Sequence, residues 1–144
     1  MTTPFYFVVA FIAGVAITLQ GHLMGLMDRA LGTRASVFIT YASGGLIATL
    51  LILAFGGANL KSWSKVPWYA FTAGALGLVI VGSIGFVVAR LGAAKGFTLI
   101  VASQFLLAVL IDHFGLLSAD IRPIDLTKLT GLCMLLTGVW LVVK

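Results

Sequence analysis

Acidic residues are scarce in this sequence. Four aspartates and no glutamate stand against nine lysines and arginines, so the formal net charge is +5. Charged residues make up only 9% of the 144 residues, whereas a soluble domain carries about 25%. Hydrophobic residues make up 61%, which is more than a soluble core of this size can bury. The low charge content therefore excludes an ordinary soluble domain and predicts a single domain that lies in lipid.

Cysteine and the common catalytic motifs are also missing. The single cysteine, Cys133, excludes an intrachain disulfide, and no CxxC or Cys/His metal spacing occurs. No GxSxG, P-loop or HExxH motif is present. We therefore expect no enzyme activity, no metal and no cofactor. The cations stand singly between apolar runs, a spacing typical of contacts with lipid headgroups rather than with nucleic acid.

Five long apolar stretches dominate the chain, and each reaches the ~18 residues or more that a roughly 30 Å hydrocarbon layer requires. The predicted helices cover residues 4–27, 35–55, 67–90, 93–113 and 126–143. Pro4 and Pro67 suit first helical turns, and Asp125 is placed to cap the fifth helix. The N-terminus has no positively charged region before the first apolar run, so we expect that helix to be retained. The sequence thus predicts an all-α integral membrane protein with five transmembrane helices.

The basic residues show almost no bias between the two sides of the membrane. Five spans place four on the side of the N-terminus and five on the other: Lys61, Lys65, Arg122 and Lys128 against Arg29, Arg34, Arg90, Lys95 and Lys144. Because orientation follows the excess of lysine and arginine, an unbiased chain is expected to insert both ways. The hypothesis is an antiparallel homodimer, a ten-helix bundle of inverted repeats. The alternatives are an opposite-topology paralogue as partner, or a weak bias that still suffices.

A few polar side chains fall inside the spans. Gln20, Ser103 and Gln104 are the candidates for substrate binding, because each amide offers two donors and an acceptor. Their alternative role is an interhelical hydrogen bond. His22, Asp112 and His113 are the candidates for proton coupling or gating. The alternative is that His22 bonds a neighbouring carbonyl and that Asp112 and His113 form a solvated helix end.

Glycines recur along the first and third predicted helices. One face of the first carries Gly14, Thr18, Gly21, His22 and Gly25, and the third contains Gly74, Gly77, Gly82, Gly85 and Ala89. Small residues allow helices to approach closely. The favoured interpretation is packing within one chain.

The segment from Val101 to Gly115, followed by Arg122-Pro123, resembles the helix-4 signature of YdcZ-type inner-membrane exporters. These belong to the drug/metabolite transporter superfamily. Leu19-Gln20, Pro67-Trp68 and the turn from Arg90 to Ala94 also match the family layout. The resemblance covers essentially the whole chain, and its most specific part is the stretch from Gln104 to Gly115.

This resemblance implies a bacterial, multi-pass inner-membrane protein of about five helices, related to half of a ten-helix transporter. Gln20, Gln104, Asp112 and His113 correspond to family motif residues. Many members have an asparagine four residues after the helix-1 glutamine, where this chain has Met24. That departure suggests a less polar substrate. Related small multidrug-resistance transporters use a helix-1 glutamate, so their mechanism does not transfer to a chain without glutamate.

The functional prediction is a small secondary transporter that exports a small metabolite or drug-like molecule by alternating access. Its expected partners are membrane lipids, a small-molecule substrate and a second copy of the chain. The alternatives are a passive dual-topology channel and a non-transporting accessory membrane subunit.

Overall fold

The computed structural model describes residues 3–56 and 60–144. Its five α-helices are α1 (Thr3–Leu31), α2 (Thr33–Phe55), α3 (Ala73–Leu91), α4 (Ala93–Phe114) and α5 (Leu126–Val143). Short 3₁₀ segments cover Leu60–Lys65, Trp68–Thr72 and Leu116–Ser118. All five helices, with α3 counted from Trp68, are long and apolar enough to cross a membrane. The prediction of an all-helical fold with five candidate spans is confirmed.

The end predicted for the first helix, at residue 27, was wrong. Helix α1 continues through Asp28 and Arg29 to Leu31 and stops at Gly32, whose φ is 82° and ψ 162°. Only glycine adopts that backbone region readily. The two charged residues remain helical because both have partners on α3, as described below. With 29 residues, α1 is about 43 Å long at ~1.5 Å per residue, so it tilts or extends beyond the hydrocarbon layer.

The other boundaries differ by smaller amounts. Helix α2 begins at Thr33 rather than at residue 35, and α4 ends at Phe114 rather than at residue 113. The segment after Pro67 is a 3₁₀ helix before α3 proper begins at Ala73, because α-helices often start with a tighter 3₁₀ turn. The fifth helix matches its predicted bounds. Residues 57–59 of the predicted connection between α2 and α3 lie outside the described residues.

The helices group into two compact units, Met1–Arg90 and Leu91–Lys144. The assignment of both units to a single domain remains a prediction from the sequence. In the first unit, Met24, Ile84 and Val88 are the buried hydrophobic residues. A Cβ placed on Gly25 would lie 3.0 Å from Val88 Cγ1, and one on Gly85 would lie 3.4 Å from Met24 Cε. Glycine therefore allows α1 and α3 to pack closely.

Glycines of α3 also leave room for side chains of α2 to pack against its backbone. The hydroxyl of Tyr41 occupies the space that a Cβ on Gly77 would fill, and Val37 Cγ2 lies 3.4 Å from that position on Gly82. The predicted intrachain role of the glycines is thus confirmed for Gly25, Gly77, Gly82 and Gly85. It is wrong for Gly14 and Gly74, because a Cβ at either position would meet no atom within 4 Å.

In the second unit, α4 packs against α5. Lys95 Nζ, near the start of α4, donates to the carbonyl of Val143 at the end of α5 (3.0 Å). At the opposite end, the N–H of Arg122 donates to the carbonyl of Asp112 (2.8 Å). The carboxylate of Asp125 accepts from the N–H of Lys128 (2.7 Å), which confirms the predicted cap of α5. These contacts fix α4 and α5 as an antiparallel pair.

Candidate functional site

An open groove lies between α1 and α2 in the first unit. Its volume is about 740 Å³, within the ~300–1,000 Å³ typical of small-molecule sites. It is lined by Gln20, Leu23, Met24, Leu26, Met27, Ile39, Thr40, Ser43, Gly44 and Ile47. Three of these residues are polar and the others are apolar or glycine. This composition suits a ligand that is mainly apolar with a hydrogen-bonding group.

Gln20 is the polar side chain of this groove that has no hydrogen-bond partner among the described residues. The Thr40 hydroxyl donates to the carbonyl of Ser36 (2.8 Å), and the Ser43 hydroxyl donates to the carbonyl of Ile39 (2.8 Å). Both hydroxyl protons are therefore used within α2, which leaves those oxygens as acceptors. The Gln20 amide makes no hydrogen bond within residues 3–56 and 60–144. Its two donors and its acceptor remain free for a ligand.

A second cavity, of about 410 Å³, shares part of its lining with this groove. Its other lining residues are Tyr41, Gly45, Ala48 and Val81. Gln20, Thr40 and Gly44 line both cavities. A Cβ on Gly44 would meet nothing within 4 Å. The open space around Gln20 thus depends on the missing side chain at Gly44.

Met24, at the position where the sequence departs from the family pattern, is 1% exposed. It packs against Gly85 of α3 and also lines the groove. The carbonyl of Met24 accepts a hydrogen bond from the buried hydroxyl of Ser36 (3.2 Å). Met24 therefore gives the groove an apolar floor that is in contact with both α2 and α3.

The other two predicted binding residues lie side by side in the second unit. Ser103 and Gln104 are exposed near the middle of α4. The Ser103 hydroxyl donates to the carbonyl of Ile100 in its own helix (2.8 Å). Gln104 makes no hydrogen bond with any residue of the described ranges. Gln104 is thus a second side-chain amide without a hydrogen-bond partner among the described residues, exposed on α4.

The predicted proton-coupling residues lie in two different environments, one on α1 and the other at the end of α4. His22 is exposed on α1, without a hydrogen bond to the described part of the chain. At the end of α4, His113 Nδ1 accepts from the N–H of Ile124 (3.2 Å). Asp112 is half-buried, and its carbonyl accepts from Arg122. The contacts of Asp112 and His113 thus hold the connection to α5, and their role in proton coupling remains a prediction.

A buried ion pair, which the sequence interpretation missed, joins the ends of α1 and α3. Arg90 Nη1 lies 3.2 Å from Asp28 Oδ1, and the Asp28 side chain is only 4% exposed. Next to it, Arg29 Nε donates to the carbonyl of Ala89 (3.1 Å). A helix that ended at residue 27, as the sequence predicts, would leave Asp28 outside α1. Gly32 was the better signal for the helix end, since glycine commonly follows the last helical residue.

Within the described residues, no group of three or more histidine, cysteine, aspartate or glutamate residues lies close enough together to hold a metal ion. Five helices that are long and apolar enough to cross a membrane fit a multi-pass membrane protein.

The chain belongs to the family described as "Putative inner membrane exporter, YdcZ", which matches residues 5–141. This finding confirms the resemblance and supports an exporter role in the inner membrane. A search of curated proteins and a search of solved structures found no match.

Proposed function

We propose that this protein is a secondary transporter that exports a small amphipathic molecule through the groove around Gln20. The observation that carries the proposal is a groove of about 740 Å³ with apolar walls and one uncommitted amide. A ligand with an apolar body would contact Leu23, Met27 and Ile47. A single polar group on that ligand would bond to the Gln20 amide, with Thr40 and Ser43 as further acceptors.

Two antiparallel copies would provide the alternating access that export requires. The nearly even division of lysine and arginine supports insertion in both orientations. At most 17% of any apolar span window is buried by the chain itself, so each helix has surface left for lipid or for a partner. In such a dimer, Gln104 of the second copy is the residue that would complete the site near the midplane.

Removing the Gln20 amide is expected to weaken transport. Purified protein in liposomes should give saturable flux for at least one compound in a panel of small amphipathic metabolites and drugs. Gln20→Ala removes one hydrogen bond of about 1 kcal/mol, so the substrate concentration for half-maximal flux should rise roughly fivefold. Thr18→Ala is the matched control, because Thr18 is exposed on α1 and its hydroxyl donates to Gly14 of the same helix.

Equal flux in the wild type and Gln20→Ala would remove Gln20 from the site. Flux that rises linearly without saturation would indicate a channel. No flux together with no ligand-dependent thermal stabilisation would indicate an accessory subunit, because a bound ligand must stabilise the folded state.

The antiparallel arrangement predicts that C-terminal tags are accessible from both sides of the membrane. Lys65→Ala leaves three basic residues against five, and Arg34→Ala leaves four against four. Both side chains are exposed. Because lysine and arginine are retained on the cytoplasmic side, the two variants should shift the accessible fraction in opposite directions. Finding every C-terminus on one side, in the wild type and in both variants, would contradict two-way insertion.

A further inference from the structure

Asp28 is a buried carboxylate with a partner on only one of its two oxygens. The residue is 6% exposed, and its Oδ1 accepts from Arg90 Nη1 at 3.2 Å. Its Oδ2 is buried and has no hydrogen-bond partner among the residues that the structure describes. A buried carboxylate oxygen without a donor costs more than a neutral group in the same place, because the charge is removed from water without compensation. The second oxygen is therefore a buried acceptor that lacks a hydrogen-bond donor among the described residues.

Arg90 divides its contacts between this carboxylate and Phe86. Its side chain is 50% exposed, and the same Nη1 also donates to the carbonyl of Phe86 (3.0 Å). Its guanidinium carbon lies 3.5 Å from the centroid of the Phe86 ring, within cation–π range. Arg90 thus keeps a carbonyl and an aromatic face as partners when its pairing with Asp28 weakens.

Besides Asp28, the histidine, lysine and arginine side chains of α1, α2 and α3 are His22, Arg29, Arg34 and Arg90. On α1 itself, Arg29 donates to the carbonyl of Ala89, and His22 lies six residues upstream and is exposed. On α2, Arg34 is in the first turn and exposed. On α3, Arg90 is the ion-pair partner. Asp28 is therefore the one acidic group among the described residues of α1, α2 and α3.

We propose that Asp28 Oδ2 is the proton-binding site that couples export to the proton gradient, an inference that rests on the proposed transport function. A proton from one aqueous side forms an O–H bond with Oδ2 and leaves the carboxyl group neutral. The attraction between the two opposite charges is then lost, and a weaker hydrogen bond from the Arg90 guanidinium cation to the neutral carboxyl group replaces it. Release of the proton to the other side restores the ion pair. The sequence candidates His22, Asp112 and His113 are not required for this step.

The ion pair is connected to the groove through Met24. Met24 is one helical turn before Asp28, contacts Gly85 of α3 and lines the groove. Met27, directly before Asp28, lines it as well. A change in how the end of α1 packs against α3 therefore changes the shape of the groove. This contact provides the physical link between proton binding and substrate binding.

Infrared spectroscopy tests the site with the proton itself as the ligand. On acidification, wild-type protein in liposomes should gain the carbonyl band of a protonated carboxyl group in a water-poor environment. Asp28→Asn should lack that band, and Asp120→Asn, the same change at an exposed aspartate, should retain it. If Asp28→Asn does not fold, Asp28→Glu provides the assignment, since the band should change frequency. An unchanged band in the folded Asp28→Asn or in Asp28→Glu would overturn the assignment.

A transport measurement separates this inference from the proposed function. A pH gradient should drive accumulation of the compound that gives saturable flux in the wild type. In Asp28→Asn, which mimics the neutral carboxyl group, gradient-driven accumulation should fall to the level of protein-free liposomes, while exchange of labelled for unlabelled compound continues. If no compound gives saturable flux, the proposed function fails and the infrared result still decides the proton site. If saturable flux is present but Asp28→Asn still accumulates compound as the wild type does, this inference alone fails.

Discussion

Replacing Gly44 with leucine is expected to abolish saturable transport while leaving the fold intact. Gly44 lines both cavities beside Gln20. A Cβ at this position meets no atom within 4 Å, so the fold can accept a side chain there. The leucine side chain would occupy the space that the ligand needs and would cover the Gln20 amide. The measurement is flux in liposomes, with thermal unfolding of the purified variant as the check on folding.

Gly14→Leu is the matched control for this substitution. Gly14 is also a helical glycine with nothing within 4 Å of its Cβ position, but it lies outside both cavities. Transport should be unchanged in Gly14→Leu. A folded Gly44→Leu variant with wild-type flux would show that the substrate does not pass through the groove.

Replacing Gly25 with valine is expected to cause the largest loss of stability. Its Cβ would lie 3.0 Å from Val88 Cγ1 and 3.4 Å from the backbone nitrogen of Ala89. Val88 has one strongly preferred rotamer in a helix, and the second neighbour is a backbone atom, so we expect α1 and α3 to shift apart by a few tenths of an ångström. Overpacking of this kind costs about 1–3 kcal/mol. We expect a loss near the upper end of that range, because a shift of α1 away from α3 would also lengthen the Asp28–Arg90 ion pair. Unfolding in a mild detergent measures the loss.

A double-mutant cycle with the smaller substitution tests the cause. Gly25→Ala should destabilise less than Gly25→Val, and Val88→Ala should partly restore stability because it removes Cγ1. Gly14→Val, on the same helix with open space around it, should have little effect. Additive effects of Gly25→Ala and Val88→Ala would contradict a direct clash, because interacting residues give non-additive changes.

Helix α1 illustrates how far the sequence could predict the site. Gln20 was identified because an amide inside an apolar run needs a partner, and the structure places it in a groove. The sequence could not identify Thr40, Ser43 and Gly44 as its neighbours. These residues lie on another helix. Spacing in the sequence shows which residues are neighbours on one helix, since those three or four apart lie on the same face, but it does not show which residues of two helices meet. Pairing between helices depends on crossing geometry that composition does not encode.

The sequence by itself determined that this protein is an all-helical membrane protein with five candidate spans. The low charge content and the lengths of the apolar runs leave lipid as the solvent, and a chain in lipid must satisfy its backbone within helices. Only the tertiary structure showed that Asp28 is buried and paired with Arg90. In the sequence it is one charge beyond an apolar run, but close packing of α1 and α3 at Gly25 and Gly85 buries it beside Arg90. Burial depends on what packs against a residue, and that is a property of the folded chain.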